Sequence, residues 1–420
     1  MSATKTQDTS GLTIFIARQP IFDRQKQVYA YELLYRSDSI NRANVINDEY
    51  ATLKVIANSL LIGLQRLTDG KRAFIHFNKL LLIGQIPLLF PKDILGVEIF
   101  ETVKPEDRVI KVCERIKNAG YLMVMDDFVF NQPYRALLQY ADMIKLDFLG
   151  NSPAERQAIA REAASLNLKL LAEKIETQTD YDEAVQLGCV YFQGFFFQKP
   201  DLVSRKEMPG YKLNYLHIIR KIHDPVLELD DIEDIIKHDV SLTYKLMRFI
   251  NSASFGFKVT VRSIHHALML LGKREIKKWL TIIVMSGIGR EKPLELMNIA
   301  VVRARFCEAL ASEFKLYHEP SEFFLMGMFS MMDAFLDRPI EEILDELPLQ
   351  ESVIAGLLGR DEEFSRVLKL VKAFEKGQWE LVAQYNSHMH LPEERIAFLY
   401  LDAVEWTRFL SKAEEPEEKK

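Results

Sequence analysis

YLMVMDDFVFNQPY, residues 121–134, decides how the first half of this chain is read. An apolar run ends on two adjacent aspartates, Asp126 and Asp127, and passes at once into a loop. Neighbouring side chains on a strand point to opposite faces, so both acids can serve one polar site only from the strand's tip. A metal or phosphate site is the sharp reading of that pair, and a solvated loop start is the plain one.

Seven further runs share the texture: TIFIARQPIF (13–22), QVYAYELLYR (27–36), AFIHFN (73–78), ILGVEIFE (94–101), MIKLDF (143–148), KLLAEKIE (169–176) and YFQGFFFQ (191–198). They are rich in β-branched, leucine and aromatic residues, as strands are. Helical spacing fills gaps between them, in ATLKVIANSLLIGLQRL (51–67) and in PEDRVIKVCERIKNAG (105–120), with acid at its start, base near its end and a glycine where a C-cap belongs. Strand and helix alternate up to about residue 200, which predicts a parallel α/β fold. Eight strands point to a (β/α)8 TIM-like barrel rather than an open sheet.

Polar residues punctuate these runs: Glu32, Asn78, Glu98, Asp126 with Asp127, Lys145 with Asp147, Glu173 with Glu176, and Gln193. In a barrel the C-terminal strand ends converge on one mouth. So many acids around one cavity imply a divalent cation, with Lys145 adding positive charge. Carboxylates and an asparagine suit Mg2+ or Mn2+ better than Zn2+, and His76 reads as a core residue or one standing behind the ligands. Hard cations in such a cage serve phosphate esters.

Composition sets the outer bounds. The chain has 420 residues, 48% hydrophobic and 27% charged, enough for two or three soluble domains. Its longest apolar run, LLLIGQIPLLF (80–90), is too short to span a bilayer, and MSATKTQDTS lacks the features of a secretory signal, so a cytoplasmic location is expected. Cys113, Cys189 and Cys307 lie far apart and read as buried thiols. A net charge of −6 argues against a nucleic-acid partner.

On these residues the first half resembles the EAL domain, the phosphodiesterase that linearises cyclic di-GMP. The signature appears as Glu32-Leu33-Leu34, with Arg36 after it. Gln19-Pro20, Asn78, Glu98 with Glu101, Asp126-Asp127-Phe128, Lys145 with Asp147, Glu173 with Glu176, Gln193-Gly194 and Pro200 follow in the family's order. The resemblance implies Mg2+ or Mn2+ held by Glu32, Asn78, Glu98 and Asp126, with Asp127 shared or binding a second ion. It makes Glu173 the general base, with Glu176 beside it, and has Lys145 orient the attacking water. Gln19, Arg36, Gln193 and Pro200 would face the ligand, and Glu101 would anchor the loop after DDF. That loop departs from the family's DDFGTG: two glycines are lost, a proline is gained, and Lys174 replaces the glycine of AEGVET. Hydrolysis to linear pGpG is one expectation and a binding-only adaptor the other. The homodimer usual in the family stays open.

After Pro200 the texture turns helical, as in DDIEDIIKHDVSLTYKLMRFINSA and PSEFFLMGMFSMMDAFL. These segments, with VRSIHHALMLLGKREIKKWL, resemble the HDOD domain. Ser330 and Met331 stand where the related HD phosphohydrolases carry a metal-binding His-Asp pair, so the resemblance implies a regulatory or protein-binding role. His265-His266 reads as surface or packing, since adjacent helical residues diverge by about 100 degrees. The expected organisation is a barrel over 11–200, a linker over 201–210, an all-helical domain over 211–410 and a solvated tail over 411–420.

Overall fold

The computed structural model describes residues 14–37, 64, 67–100, 102–126, 135–196, 210–224, 226–251, 260–314, 319–347 and 349–414. Eight strands close into a barrel in sequence order: β1 (Ile14–Asp23), β2 (Val28–Ser37), β3 (Arg72–Phe77), β4 (Leu95–Ile99), β5 (Leu122–Met125), β6 (Met143–Asp147), β7 (Lys169–Ile175) and β8 (Tyr191–Gly194). From β2 to β8 every neighbouring pair is parallel. The first strand departs from the all-parallel expectation: β1 runs antiparallel to both β2 and β8. Residues 24–27 alone join it to β2, far short of the dozen or so residues that a parallel crossover requires. Asp23 Oδ1 holds the turn by accepting from the Gln25 and Gln27 amides, each at 2.9 Å.

Between the parallel strands the chain returns through helices. Asp107–Asn118 ends with Gly120 at φ +88°, the left-handed position that glycine adopts without strain. Pro153–Ser165 and Gln178–Gln186 begin with capping boxes built on Ser152 with Glu155 and on Thr177 with Asp180. Most of the helical stretch expected over 51–67 lies outside the described residues; Leu64 and Leu67 from it are buried.

The two-residue strand period sorts the barrel's interior into layers. Ile21, Ala30, Phe74, Val124, Met143 and Leu171 form an apolar floor. Gly96 belongs to the same level, where an added Cβ would stand 2.6 Å from the Phe74 ring. One step along each strand toward the mouth, the side chains turn polar: Gln19, Glu32, His76, Glu98, Asp126, Lys145, Glu173 and Gln193, one from each strand or its end.

From Gly210 to Glu414 the described chain is helical. The last helix, Glu393–Glu414, continues through the first four residues of the segment expected to be a tail. Ala17, at the barrel's rim on β1, shares a core with Phe306, Phe374 and Tyr400 of the helical half. The Tyr31 hydroxyl donates to Glu295 at 3.0 Å, and Arg18 lies 4.6 Å over the Tyr31 ring while donating to the Leu67 carbonyl at 2.6 Å. The helices thus pack on the β1–β2 shoulder. No described helix is long and apolar enough to cross a membrane.

Candidate active site and metal centre

Lys145 stands at the centre of the polar layer, almost fully buried. Its ammonium lies 3.2 Å from Glu32, 3.3 Å from Glu98, 3.4 Å from Asp126 and 3.0 Å from Glu173. Four carboxylates from β2, β4, β7 and the end of β5 therefore surround one lysine. Gln193 closes the ring on the other side, donating to Gln19 at 3.1 Å and to Glu32.

Asn78 is not drawn into this ring. It follows the last residue of β3 and caps the short helix Lys79–Ile83, its Oδ1 accepting from the Leu81 amide at 3.0 Å. His76 fills the inner face instead, where the sequence reading had put it in the core or behind the ligands. Its Nε2 lies 2.8 Å from Asp126 and 3.3 Å from Glu98, and its Nδ1 lies 3.5 Å from Glu32, with the ring stacked on Phe100. The signal was present in AFIHFN: Phe74 and His76 share a face that Ala73, Ile75 and Phe77 do not.

Three observations test whether these residues suit a cation. Neither oxygen of the fully buried Glu98 receives a hydrogen bond, and Asp126 Oδ1 is likewise unsatisfied. The cluster also sets four carboxylates against Lys145 and the His76 ring. Ligand atoms of Glu32, His76 and Glu98 all lie within 4.8 Å of one another. The set fits a divalent cation, with Asp126 alongside.

Electrostatics divides the acids. Burial pushes Glu98 up to about 7, Lys145 opposing and Glu32 reinforcing the rise. Glu173 is likewise raised to about 7 by burial, against Lys145 and with Asp126. Asp126 resists burial, through the His76 hydrogen bond and Lys145, and falls to about 2. Glu32 is held below its ordinary value against burial by Lys145, His76 and the Gln193 amide. His76 rises to about 9, its own burial outweighed by Glu98, Asp126 and Glu32.

Above the layer opens a cavity of about 380 Å³, reaching Gln19, Glu32, Asp126, Lys145, Glu173 and Gln193. Glu176 lines it from the loop after β7, its amide donating to Asp180 at 3.2 Å. Lys174 adopts φ +57° and places its ammonium 2.5 Å from Asp147, which also accepts from the Leu149 and Gly150 amides. Glu101, Asp127, Pro200 and the side chain of Arg36 lie outside the described residues. A larger concavity of about 740 Å³ opens in the helical half, beside His217 and Asp231. The unsatisfied buried oxygens of Glu98, Asp126 and Gln193 all gather instead in the barrel's polar layer, which makes that the candidate site.

Where the HD-type pair was expected to be missing, Ser330 and Met331 both receive Arg303, at 3.0 and 2.7 Å. Arg303 also forms a bidentate ion pair with Glu375. His265 lies 2.9 Å from Glu233 on the surface.

The EAL domain model matches residues 81–200 and the HDOD domain model residues 208–336. YuxH of Bacillus subtilis, an uncharacterized protein, is 35% identical over 411 residues, covering 96% of this chain and all of that one. The cyclic di-GMP phosphodiesterase CdgJ of Vibrio cholerae is 31% identical, covering 95% of this chain and 94% of that one. Among solved structures, the Klebsiella pneumoniae BlrP1 calcium/cyclic-di-GMP complex aligns with 46% of this chain and 57% of that one, at 22% identity and a TM-score of 0.36. With both domain matches in this order and whole-length relatives above 30% identity, the chain belongs to the family that joins an EAL domain to an HDOD domain.

Proposed function

We propose that the barrel is a divalent-metal-dependent phosphodiesterase that opens cyclic di-GMP to linear pGpG, and that the helical half regulates it or binds a protein partner. The observation that carries this reading is the polar layer itself, eight strands each delivering one side chain, with unsatisfied carboxylate oxygens facing inward. Glu32, His76 and Glu98, with Asp126 beside them, would hold Mg2+ or Mn2+. The cation would supply positive charge to the phosphodiester oxygens.

The chain's own groups account for the proton. A carboxyl raised to about 7 is poised to accept one near neutrality, so Glu173 removes it from the attacking water. Lys145, 3.0 Å away, fixes the Glu173 carboxylate and its ammonium orients the water. The water oxygen bonds to phosphorus as the bond to the ribose 3′ oxygen breaks; that oxygen takes a proton from solvent to become a hydroxyl, and Glu173 returns its proton to solvent. Gln19 and Gln193 hold the ligand over the layer, and Glu176 borders it.

The test is product analysis of purified full-length protein with cyclic di-GMP and Mg2+ or Mn2+, beside Glu32→Ala. Linear product from the parent and none from the variant supports the reading. Binding without product would leave a receptor.

A further inference from the structure

We propose that the helical half completes the ligand site, with Lys376 contacting a phosphate of the bound dinucleotide from above the barrel mouth. The inference rests on the reading of the barrel as a cyclic dinucleotide site. The helices Glu362–Glu375 and Trp379–Asn386 meet at a sharp corner formed by Lys376, Gly377 and Gln378. Gly377 adopts φ +66°, and a Cβ there would stand 2.7 Å from Leu34 Cδ1. Leu34 lies two residues beyond Glu32 on β2, so the corner is pressed against the rim directly above the polar layer. Lys376 and Gln378 consequently line the same cavity as Glu32, Lys145 and Glu173.

Charge explains why a cation is needed there. The floor of the cavity is acidic, and its basic groups are committed: Lys145 to four carboxylates, Lys174 to Asp147. A dianionic ligand entering over that floor needs positive charge at the rim. Lys376 is exposed, its ammonium lies 4.9 Å over the Phe195 ring just past β8, and among the described residues it has no carboxylate partner. The Phe195 face positions the ammonium without neutralising it. Gln378, also exposed, adds an amide beside it. The corner is tied from behind by the bidentate pair of buried Arg303 with Glu375, the last residue before Lys376.

The experiment is calorimetric titration of cyclic di-GMP into the full chain with Mn2+, in a Glu173→Gln background that slows turnover about 10²- to 10⁴-fold. Lys376→Ala is expected to weaken binding about tenfold, as loss of one charge-assisted hydrogen bond does. Lys376→Glu should weaken it further, and Lys376→Arg should stay within about threefold of the parent. Lys92→Glu, an exposed residue ahead of β4 and so at the N-terminal end of the strands opposite the mouth, controls for net charge and should bind as the parent does. Parent-like affinity in Lys376→Ala and Lys376→Glu, with the parent binding, overturns the proposal alone. A parent that binds no cyclic di-GMP removes the reading of the barrel, and the proposal with it.

Discussion

Glu98→Gln should make the metal-free protein more stable at pH 8 and the metal-loaded protein less so. Glu98 is fully buried, neither of its oxygens is hydrogen-bonded, and its carboxyl is raised by burial from 4.5 to about 7. A group whose folded value is raised stabilises fully below its unfolded value, and that contribution is lost as pH climbs through the folded one; here the window runs from 4.5 to about 7. At about 1.36 kcal/mol per unit the charged carboxylate weakens the fold by roughly 3 kcal/mol at pH 8. Glutamine keeps the volume and removes the charge, while Lys145 retains Glu32, Asp126 and Glu173. For a domain of this size the gain corresponds to roughly 5–10 °C in the barrel's thermal transition, measured in chelator. With Mn2+ at a thousand times its dissociation constant the order reverses, because the cation then adds about 4.1 kcal/mol to the parent, more than the variant gains. A Glu98→Gln protein that melts below the parent in chelator at pH 8 would show that the carboxylate is compensated within the protein and that the layer was not built around a missing cation.

Glu173→Gln should lower turnover about 10²- to 10⁴-fold while cyclic di-GMP still binds, read by product formation beside calorimetry. His76→Ala should weaken Mn2+ binding by about tenfold or more, whereas Asn78→Ala should shift only stability, by about 1 kcal/mol through loss of a helix cap. Arg303→Ala should destabilise the helical half by about 3–5 kcal/mol in denaturant melts, since it strands the mostly buried Glu375 without its partner. His223, packed edge-on against Phe329 and 3.0 Å from the Thr281 hydroxyl, is depressed by burial to about 3. It stabilises the fold above pH 6.5, and that stability should drain at up to about 1.4 kcal/mol per pH unit as pH falls from 6.5 toward 3, a slope that His223→Gln should flatten.

The barrel was legible because two signals agreed: apolar runs of strand length separated by helical spacing, and an acid or amide near nearly every run's end. One strand direction was not written in those runs. It resided in the four residues between β1 and β2, whose brevity forbids a crossover whatever the strands contain. The helical half was legible as helix from its apolar spacing, but its place against β1 depends on isolated contacts such as Tyr31 with Glu295, which no local pattern announces.

His76 and Asn78 show how one strand end sends two polar residues of the same parity to different partners. Both lie on the inward parity of β3, so the strand period alone cannot choose between them. What separates them is where the strand stops. At 78 the chain has already left the ladder and begins a helix, and a free amide hydrogen one turn on is a nearer partner for an asparagine oxygen than a cluster behind it. At 76 the strand is still paired, with Glu98 directly opposite, and pleat geometry drives the side chain inward regardless of its chemistry. Lys376 marks the complementary limit: nothing in its neighbourhood of sequence distinguishes it from other helix-terminal lysines. It gains a functional place only because the barrel's rim and a helical corner more than 340 residues away in sequence fold against each other, as the contact of Gly377 with Leu34 records. With the cavity wall drawn from both halves, the proposed Lys376 contact would carry any rearrangement of the helices directly to the dinucleotide, without a relay through the barrel.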